Sequence, residues 1–96
     1  PVYHLATREH WAQAQIEGRY RWSSRDVDYL AEGFVHCSFG AQLAGTRARF
    51  YGDLAEDDLV LLGLDTDGLP VVVEDGYPHL FAELPLDRVT QASLPA

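Results

Sequence analysis

The sequence predicts an α+β domain with a small mixed or antiparallel sheet and two helices. Two stretches with helical spacing lie in the first half of the chain, and short apolar segments with strand character flank them and fill the second half. Clusters of Gly, Pro, Asp and Ser separate these segments, as turns do. Ninety-six residues are enough for one core, so we assign residues 1–96 to a single domain.

The first half of the chain carries both predicted helices. In chain order we expect a strand over Val2–Leu5, a helix over about residues 8–17, a loop with one short helical turn over 19–32, a strand over Gly33–Ser38 and a helix over about 39–51. The hydroxyls of Thr7 and Ser38 are suited to cap the two helices. Gly18 and Gly52 are suited to end them.

The second half is predicted to consist of strands. They are expected at Leu59–Leu64, Val71–Glu74, His79–Leu84 and Val89–Leu94. The first of these is an uninterrupted apolar run, which predicts a strand buried on both faces. Turns are predicted at Asp65–Gly68 and Gly76–Pro78.

The charge of the chain limits its partners. Seven arginines against fifteen acidic residues give a net charge of −8. A long nucleic acid needs a basic stripe, so a nucleic-acid coat is excluded. Residues 1–48 are neutral overall and all of the net charge lies in residues 49–96. We therefore expect the first half to supply the cations for any small anionic ligand.

Cysteine content and hydropathy indicate the setting of the protein. One cysteine, Cys37, cannot form an intramolecular disulfide, which favours a reducing, cytoplasmic environment. No apolar run approaches the 18 or so residues of a membrane span, and no membrane partner is expected. Lys, Asn and Met are absent, as expected of a GC-rich bacterial coding sequence.

The short motifs of well-known catalytic sites are missing. The chain has no dinucleotide-binding glycine fingerprint, no P-loop, no nucleophile elbow and none of the usual zinc spacings. Histidines within strands remain: His4, His36 and His79, with Ser38 and Glu83 in phase with two of them. Each ring could be a satisfied structural histidine. Three such residues repeat the cost of burying a polar group, so we predict that they converge on one cleft.

Five segments carry a resemblance to a known family. Tyr3-His4, Gly33–Ser38 and Pro78–Phe81, together with Thr7–Trp11 and Asp58–Leu62, resemble the domain-of-unknown-function family 952 over nearly the whole chain. That family is grouped by fold with the ADP-ribosyltransferase superfamily. The resemblance implies an ADP-ribosyltransferase-like fold and NAD or a nucleotide-like small molecule as ligand.

The resemblance also implies roles for individual residues. His4 matches the first-strand residue that holds the NAD ribose, and His36 and Ser38 fall on the second strand, whose residues support the nicotinamide side. The superfamily places a glutamate on a late strand, where this chain has His79, with Glu83 four residues further on. This departure weakens the case for mono-ADP-ribosylation more than the case for NAD binding.

The leading hypothesis is an enzyme, a transferase or glycohydrolase acting at an N-glycosidic bond. Its predicted catalytic residues are His4, His36, Ser38 and His79, and its predicted cofactor-binding residues are His4, Ser38, Trp22 and Arg21. Trp22 is a candidate for stacking on a ring, and an arginine suits a pyrophosphate. The alternatives are a binding module without chemistry and, third, a three-histidine metal site. No metal is expected under the leading hypothesis.

Overall fold

The computed structural model describes residues 1–93, which form nine strands and three α-helices. The strands are β1 (Val2–Thr7), β2 (Trp22–Ser24), β3 (Val27–Asp28), β4 (Val35–His36), β5 (Ser38–Phe39), β6 (Leu59–Leu64), β7 (Val71–Glu74), β8 (Tyr77–Leu80) and β9 (Val89–Ser93). The helices are α1 (Arg8–Glu17), α2 (Tyr29–Glu32) and α3 (Leu43–Tyr51), and 3₁₀ turns lie at Gly40–Gln42, Glu56–Asp58 and Leu86–Arg88.

The strands form three small antiparallel sheets. The largest has the order β5-β1-β6-β9, the second the order β4-β8-β7, and the third is the β2–β3 hairpin. The predicted α+β class with antiparallel sheets is confirmed.

Strand β6 lies at the centre of the largest sheet, between β1 and β9. Leu59 and Leu62 are fully buried, and Val60 is buried as well. This confirms the strand predicted from the apolar run, whose residues are covered on both faces because α1 and other core residues pack against the sheet. The core therefore forms around β6.

The predicted strand over Gly33–Ser38 is wrong in one respect that shapes the site. The chain leaves one sheet and enters another at Cys37, so β4 pairs with β8 while β5 pairs with β1. The Cys37 amide stays paired at this switch, because it donates to the Pro78 carbonyl at 3.1 Å. His36 and Ser38 thus belong to different sheets, and strand alternation does not by itself place them together.

Two further predictions are corrected in the first half of the chain. Residues 19–32 hold the β2–β3 hairpin as well as α2, and its turn places Asp26 at a φ of 57°, which Asp tolerates better than most residues. Ser38 does not cap the second helix, since its hydroxyl bonds to Thr46 at 2.8 Å. The helix begins as a 3₁₀ turn instead, and the Gln42 side-chain oxygen accepts a hydrogen bond from the Phe39 backbone amide at 2.9 Å.

The strand predicted over His79–Leu84 lies earlier, at Tyr77–Leu80. The turn before it is Asp75-Gly76, with φ of 52° and 84°, the left-handed pair typical of a tight hairpin. The hairpin turn therefore closes one residue earlier than predicted, and Pro78 lies inside the strand. The last strand is confirmed from Val89 to Ser93, and Leu94 falls outside the described residues.

No helix within residues 1–93 has both the length and the apolar character that crossing a bilayer requires.

The central position of β6 predicts where the fold is most sensitive. Leu62→Ala removes a fully buried side chain and is expected to lower the free energy of unfolding by about 2–5 kcal/mol. Leu30→Ala, at a leucine that is 74 % exposed, is the matched control and is expected to change it by less than about 0.5 kcal/mol. Urea unfolding followed by circular dichroism measures both. Equal effects of the two substitutions would contradict the assignment of the core to β6.

Candidate functional site

A cavity of about 260 Å³ lies where both larger sheets, the β2–β3 hairpin and α3 meet. It is lined by both hydroxylated and aromatic side chains, three histidines and one arginine. The lining residues are His4, Leu5, Ser23, Ser24, His36, Cys37, Ser38, Gly45, Thr46, Arg49, Phe50, Tyr51, Glu74, Asp75, Tyr77 and His79. The structure thus brings His4, His36, Ser38 and His79 to one cavity.

His36 and His79 form a contacting pair in the wall of the cavity. They are register partners across β4 and β8, so their side chains emerge from the same face of the sheet. Their ring centroids are 5.3 Å apart at an interplanar angle of 81°, an edge-to-face contact. Because the rings touch, no ligand fits between them, and both rings lie in the same part of the cavity wall.

Each of these two histidines has its own glutamate. Glu32 lies 2.9 Å from His36 Nε2, and Glu74 lies 2.8 Å from His79 Nδ1. A carboxylate accepts, so each of these ring nitrogens carries a proton. In a neutral ring the other nitrogen, Nδ1 of His36 or Nε2 of His79, is then a hydrogen-bond acceptor. The pair is therefore equipped for acid–base chemistry.

Aromatic rings hold the pair in place. Phe34 stacks on His79 with centroids 4.1 Å apart and an interplanar angle of 19°. Phe50, on α3, lies 6.0 Å from the His36 ring. Phe34 thereby covers one face of the His79 ring.

His4 has a different role from the one the sequence predicted. It is 1 % exposed, its Nδ1 donates to the His36 carbonyl at 2.6 Å, and the Tyr20 hydroxyl donates to its Nε2 at 2.8 Å. Both ring nitrogens are therefore used within the protein. Burial lowers the pKa of His4 to about 4, so its ring is neutral at physiological pH. We correct its predicted role as a catalytic and ribose-binding residue to that of a buried positioning residue.

The hydroxyl groups cluster on another part of the wall. Ser38 is 3 % exposed and shares a hydrogen bond with Thr46 on α3. Ser23, on β2, is 0 % exposed, and its hydroxyl has no hydrogen-bond partner among residues 1–93. Ser38 thus lies in the cavity as predicted, and Ser23 is a polar group that the sequence did not indicate.

Arg21 and Trp22 do not line the cavity, so the structure does not bring them together with His4 and Ser38 as predicted. Trp22 stacks on His10 of α1 with centroids 4.1 Å apart, and Arg21 lies over the Trp22 ring and near Asp28. The hairpin that holds them was predicted as a loop. On β2, Ser23 and Ser24 line the cavity while Trp22 packs against His10 of α1.

Glu83 is also absent from the cavity. Its carboxylate pairs with Arg19, with a 3.0 Å bond from Arg19 Nε. It does not replace the late-strand glutamate of the superfamily pattern. Glu74 is the glutamate that both contacts the histidine pair and lines the cavity, whereas Glu32 contacts His36 from outside the lining. One sequence signal could have found it: in a β7–β8 hairpin closed at Asp75-Gly76, Glu74 lies on the same face as His79.

The geometry leaves no place for the three-histidine metal site. His4 has no free ring nitrogen. Within residues 1–93 no group of three or more His, Cys, Asp or Glu side chains is arranged to hold a metal ion.

Comparison with known proteins decides the family. The family model described as protein of unknown function (DUF952) matches residues 5–92. The chain belongs to this family. No functionally curated protein matches it.

The fold is similar to solved structures of protein CC0527 from Caulobacter crescentus. Its crystal structure has a TM-score of 0.76 and 30 % identity to this chain, and covers 96 % of this chain and 82 % of its own. The crystal structure of a double mutant of that protein has a TM-score of 0.77 and 29 % identity to this chain, with the same coverage. A solution NMR structure of it has a TM-score of 0.69 and 29 % identity, and the match covers 97 % of this chain and 82 % of that one. The grouping with the ADP-ribosyltransferases stays a prediction.

The depressed pKa of His4 predicts a pH-dependent stability. Its ring has a pKa of about 4 in the folded protein and about 6.5 in the unfolded chain, so the unfolded chain binds the extra proton between these values. The contribution of His4, roughly 3 kcal/mol, is complete above pH 6.5 and is lost as the pH falls towards 4.

His4→Gln cannot titrate and is expected to lose this part of the pH dependence, while being less stable than wild type at pH 7 because Tyr20 and the His36 carbonyl are less well paired. Urea unfolding at pH 7.5, 5.5 and 4.5 measures the difference between the two proteins. A difference that stays constant with pH would contradict the assignment.

Proposed function

We propose that the cavity binds a nucleotide-like small molecule and that His36 and His79 perform acid–base chemistry on it. The proposed reaction is cleavage or transfer at the N-glycosidic bond of NAD, as the resemblance to the ADP-ribosyltransferases suggests. The observation that carries the proposal is the histidine pair itself. Two imidazoles in contact, each oriented by a glutamate, open on a cavity that also holds hydroxyls and an arginine.

In the proposed reaction the histidines act as the base. When the C1′–N bond of NAD breaks, its electron pair goes to the nicotinamide nitrogen, which leaves as a neutral ring. The sugar carbon then takes an oxygen from water or from an acceptor hydroxyl, and the proton of that oxygen goes to a histidine. The unprotonated nitrogen of a glutamate-held imidazole suits this step, which contributes typically about 10²–10⁴-fold.

Glu74 supports the transition state in this proposal. Positive charge develops on the sugar as the bond breaks, and a nearby carboxylate stabilises it. Glu74 lines the cavity and is bonded to His79, whereas Glu83 is held by Arg19 outside it. The carboxylate thus comes from β7 rather than from the late-strand position of the superfamily pattern.

Calorimetric titration with NAD and ADP-ribose tests binding. His36→Ala and His79→Ala are each expected to weaken the affinity by about tenfold or more, since they remove cavity-wall contacts. His10→Gln is the control, because His10 lies on α1 against Trp22 and Asp26, away from the cavity. Its affinity is expected to match that of wild type.

Two results separate the parts of the proposal. No heat from wild type with either ligand at millimolar concentration would contradict nucleotide binding. Binding without release of nicotinamide over hours, measured by chromatography, would contradict catalysis and favour the second candidate, a binding module with the same site.

A further inference from the structure

Arg49 is the arginine of the cavity wall. It lies on α3 with its guanidinium carbon 5.2 Å from the centre of the Phe50 ring, and Phe50 in turn neighbours His36. One aromatic ring therefore separates the guanidinium from the histidine pair. Among residues 1–93, Arg49 has no carboxylate partner within ion-pair distance.

The arginines near the first helix and the hairpin are less available. Arg19 pairs with Glu83, Arg21 with Asp28, and Arg25 with Asp53. These pairs already neutralise their guanidiniums, and none of the three residues lines the cavity. An anionic group of a ligand in the cavity is therefore expected at Arg49, whose planar fork suits phosphate. This cation lies outside residues 1–48, where the charge distribution had placed the cations for such a ligand.

The rest of the wall presents hydroxyls. Ser23, Ser24, Ser38 and Thr46 all line the cavity. The buried Ser23 hydroxyl has no partner among residues 1–93, which is uncommon in a folded protein and leaves a hydrogen bond to be made. A ligand that carries several hydroxyls of its own matches this surface.

Size and charge limit the ligand further. The volume of about 260 Å³ is just below the range of roughly 300–1,000 Å³ typical of drug-sized ligands. One sugar ring with its substituent is therefore the part that enters. Glu74 and Asp75 also line the cavity and disfavour a second anionic group there, whereas their carboxylates accept hydrogen bonds from sugar hydroxyls.

We propose that the unit recognised by the cavity is a sugar phosphate, with its phosphate on Arg49 and its hydroxylated ring beside Ser23, Ser38 and Thr46. This inference rests on the proposed function, because it names the part of the nucleotide that the same site holds. The base and any second nucleotide lie outside the cavity and contribute little to the affinity. A sugar monophosphate is thus a sufficient ligand.

Calorimetric titration with ribose 5-phosphate, ribose and inorganic phosphate tests this assignment. Ribose 5-phosphate is expected to bind more tightly than either fragment, and Arg49→Gln to weaken it by about tenfold while leaving ribose binding unchanged. Arg8→Gln is the matched control. Arg8 is another exposed arginine without a carboxylate partner among residues 1–93, it lies at the start of α1, and its substitution is expected to have no effect.

Ser23→Ala adds a readout that a purely structural role would not give. It removes a buried hydroxyl that has no partner, so the stability of the free protein is expected to stay the same or rise. The affinity for ribose 5-phosphate is expected to fall. A loss of stability together with unchanged affinity would show that Ser23 serves the fold and not the ligand.

Several outcomes would overturn the inference. Equal affinity of Arg49→Gln and wild type for ribose 5-phosphate would remove the phosphate subsite, and equal loss in Arg8→Gln would indicate general attraction of anions. Inorganic phosphate binding as tightly as ribose 5-phosphate would reduce the site to an anion site. Binding of NAD without binding of ribose 5-phosphate would refute this inference alone, whereas no binding of any nucleotide or sugar phosphate would refute the proposed function as well.

Discussion

A hydrogen bond from the buried His4 ring links the two larger sheets to each other. His4 belongs to β1 in one sheet, and its Nδ1 donates to the carbonyl of His36 in the other. The chain switches sheets at Cys37, one residue after that carbonyl, so His4 supplies a partner at the point where the strand ends. The Tyr20 hydroxyl satisfies the second ring nitrogen by donating a hydrogen bond to Nε2. A neutral imidazole is required, since a protonated Nε2 has no lone pair to accept that bond.

This arrangement divides the histidines by function. His4 is sealed in the core and sets the position of the His36 backbone, whereas the side chains of His36 and His79 stay accessible at the cavity, 31 % and 14 % exposed. The glutamates that orient these two rings are exposed residues on α2 and β7. A buried positioning residue behind two accessible, carboxylate-oriented imidazoles is the arrangement that acid–base sites use to fix ring geometry. The same cavity is lined on its α3 side by the Arg49 guanidinium and the Thr46 hydroxyl, on which the proposed ligand binding depends.

Local periodicity predicted the α+β class and β6. The meeting of three histidines was predicted from the repeated cost of burying a polar ring, and tertiary pairing between the strands produces it. The sequence could not show which of the histidines is buried. His4 differs from His36 in its contacts with Tyr20 and a distant carbonyl, which only the packing of β1 against β4 creates. The position of Trp22 outside the cavity was missed for a similar reason, since its hairpin was predicted as a loop. Arg49 was one of several arginines until α3 placed it at the cavity.

The most direct test of this division is a long-range ¹H–¹⁵N correlation spectrum of the histidine rings, recorded from pH 8 to pH 4.5 and again with ribose 5-phosphate. The account predicts that His4 shows the tautomer protonated at Nδ1, stays neutral down to about pH 5 in keeping with its pKa of about 4, and does not respond to ligand. His36 and His79 are predicted to shift when the ligand is added. A His4 ring that titrates near its ordinary value of 6.5, or that shifts with ligand while the other two do not, would contradict the account.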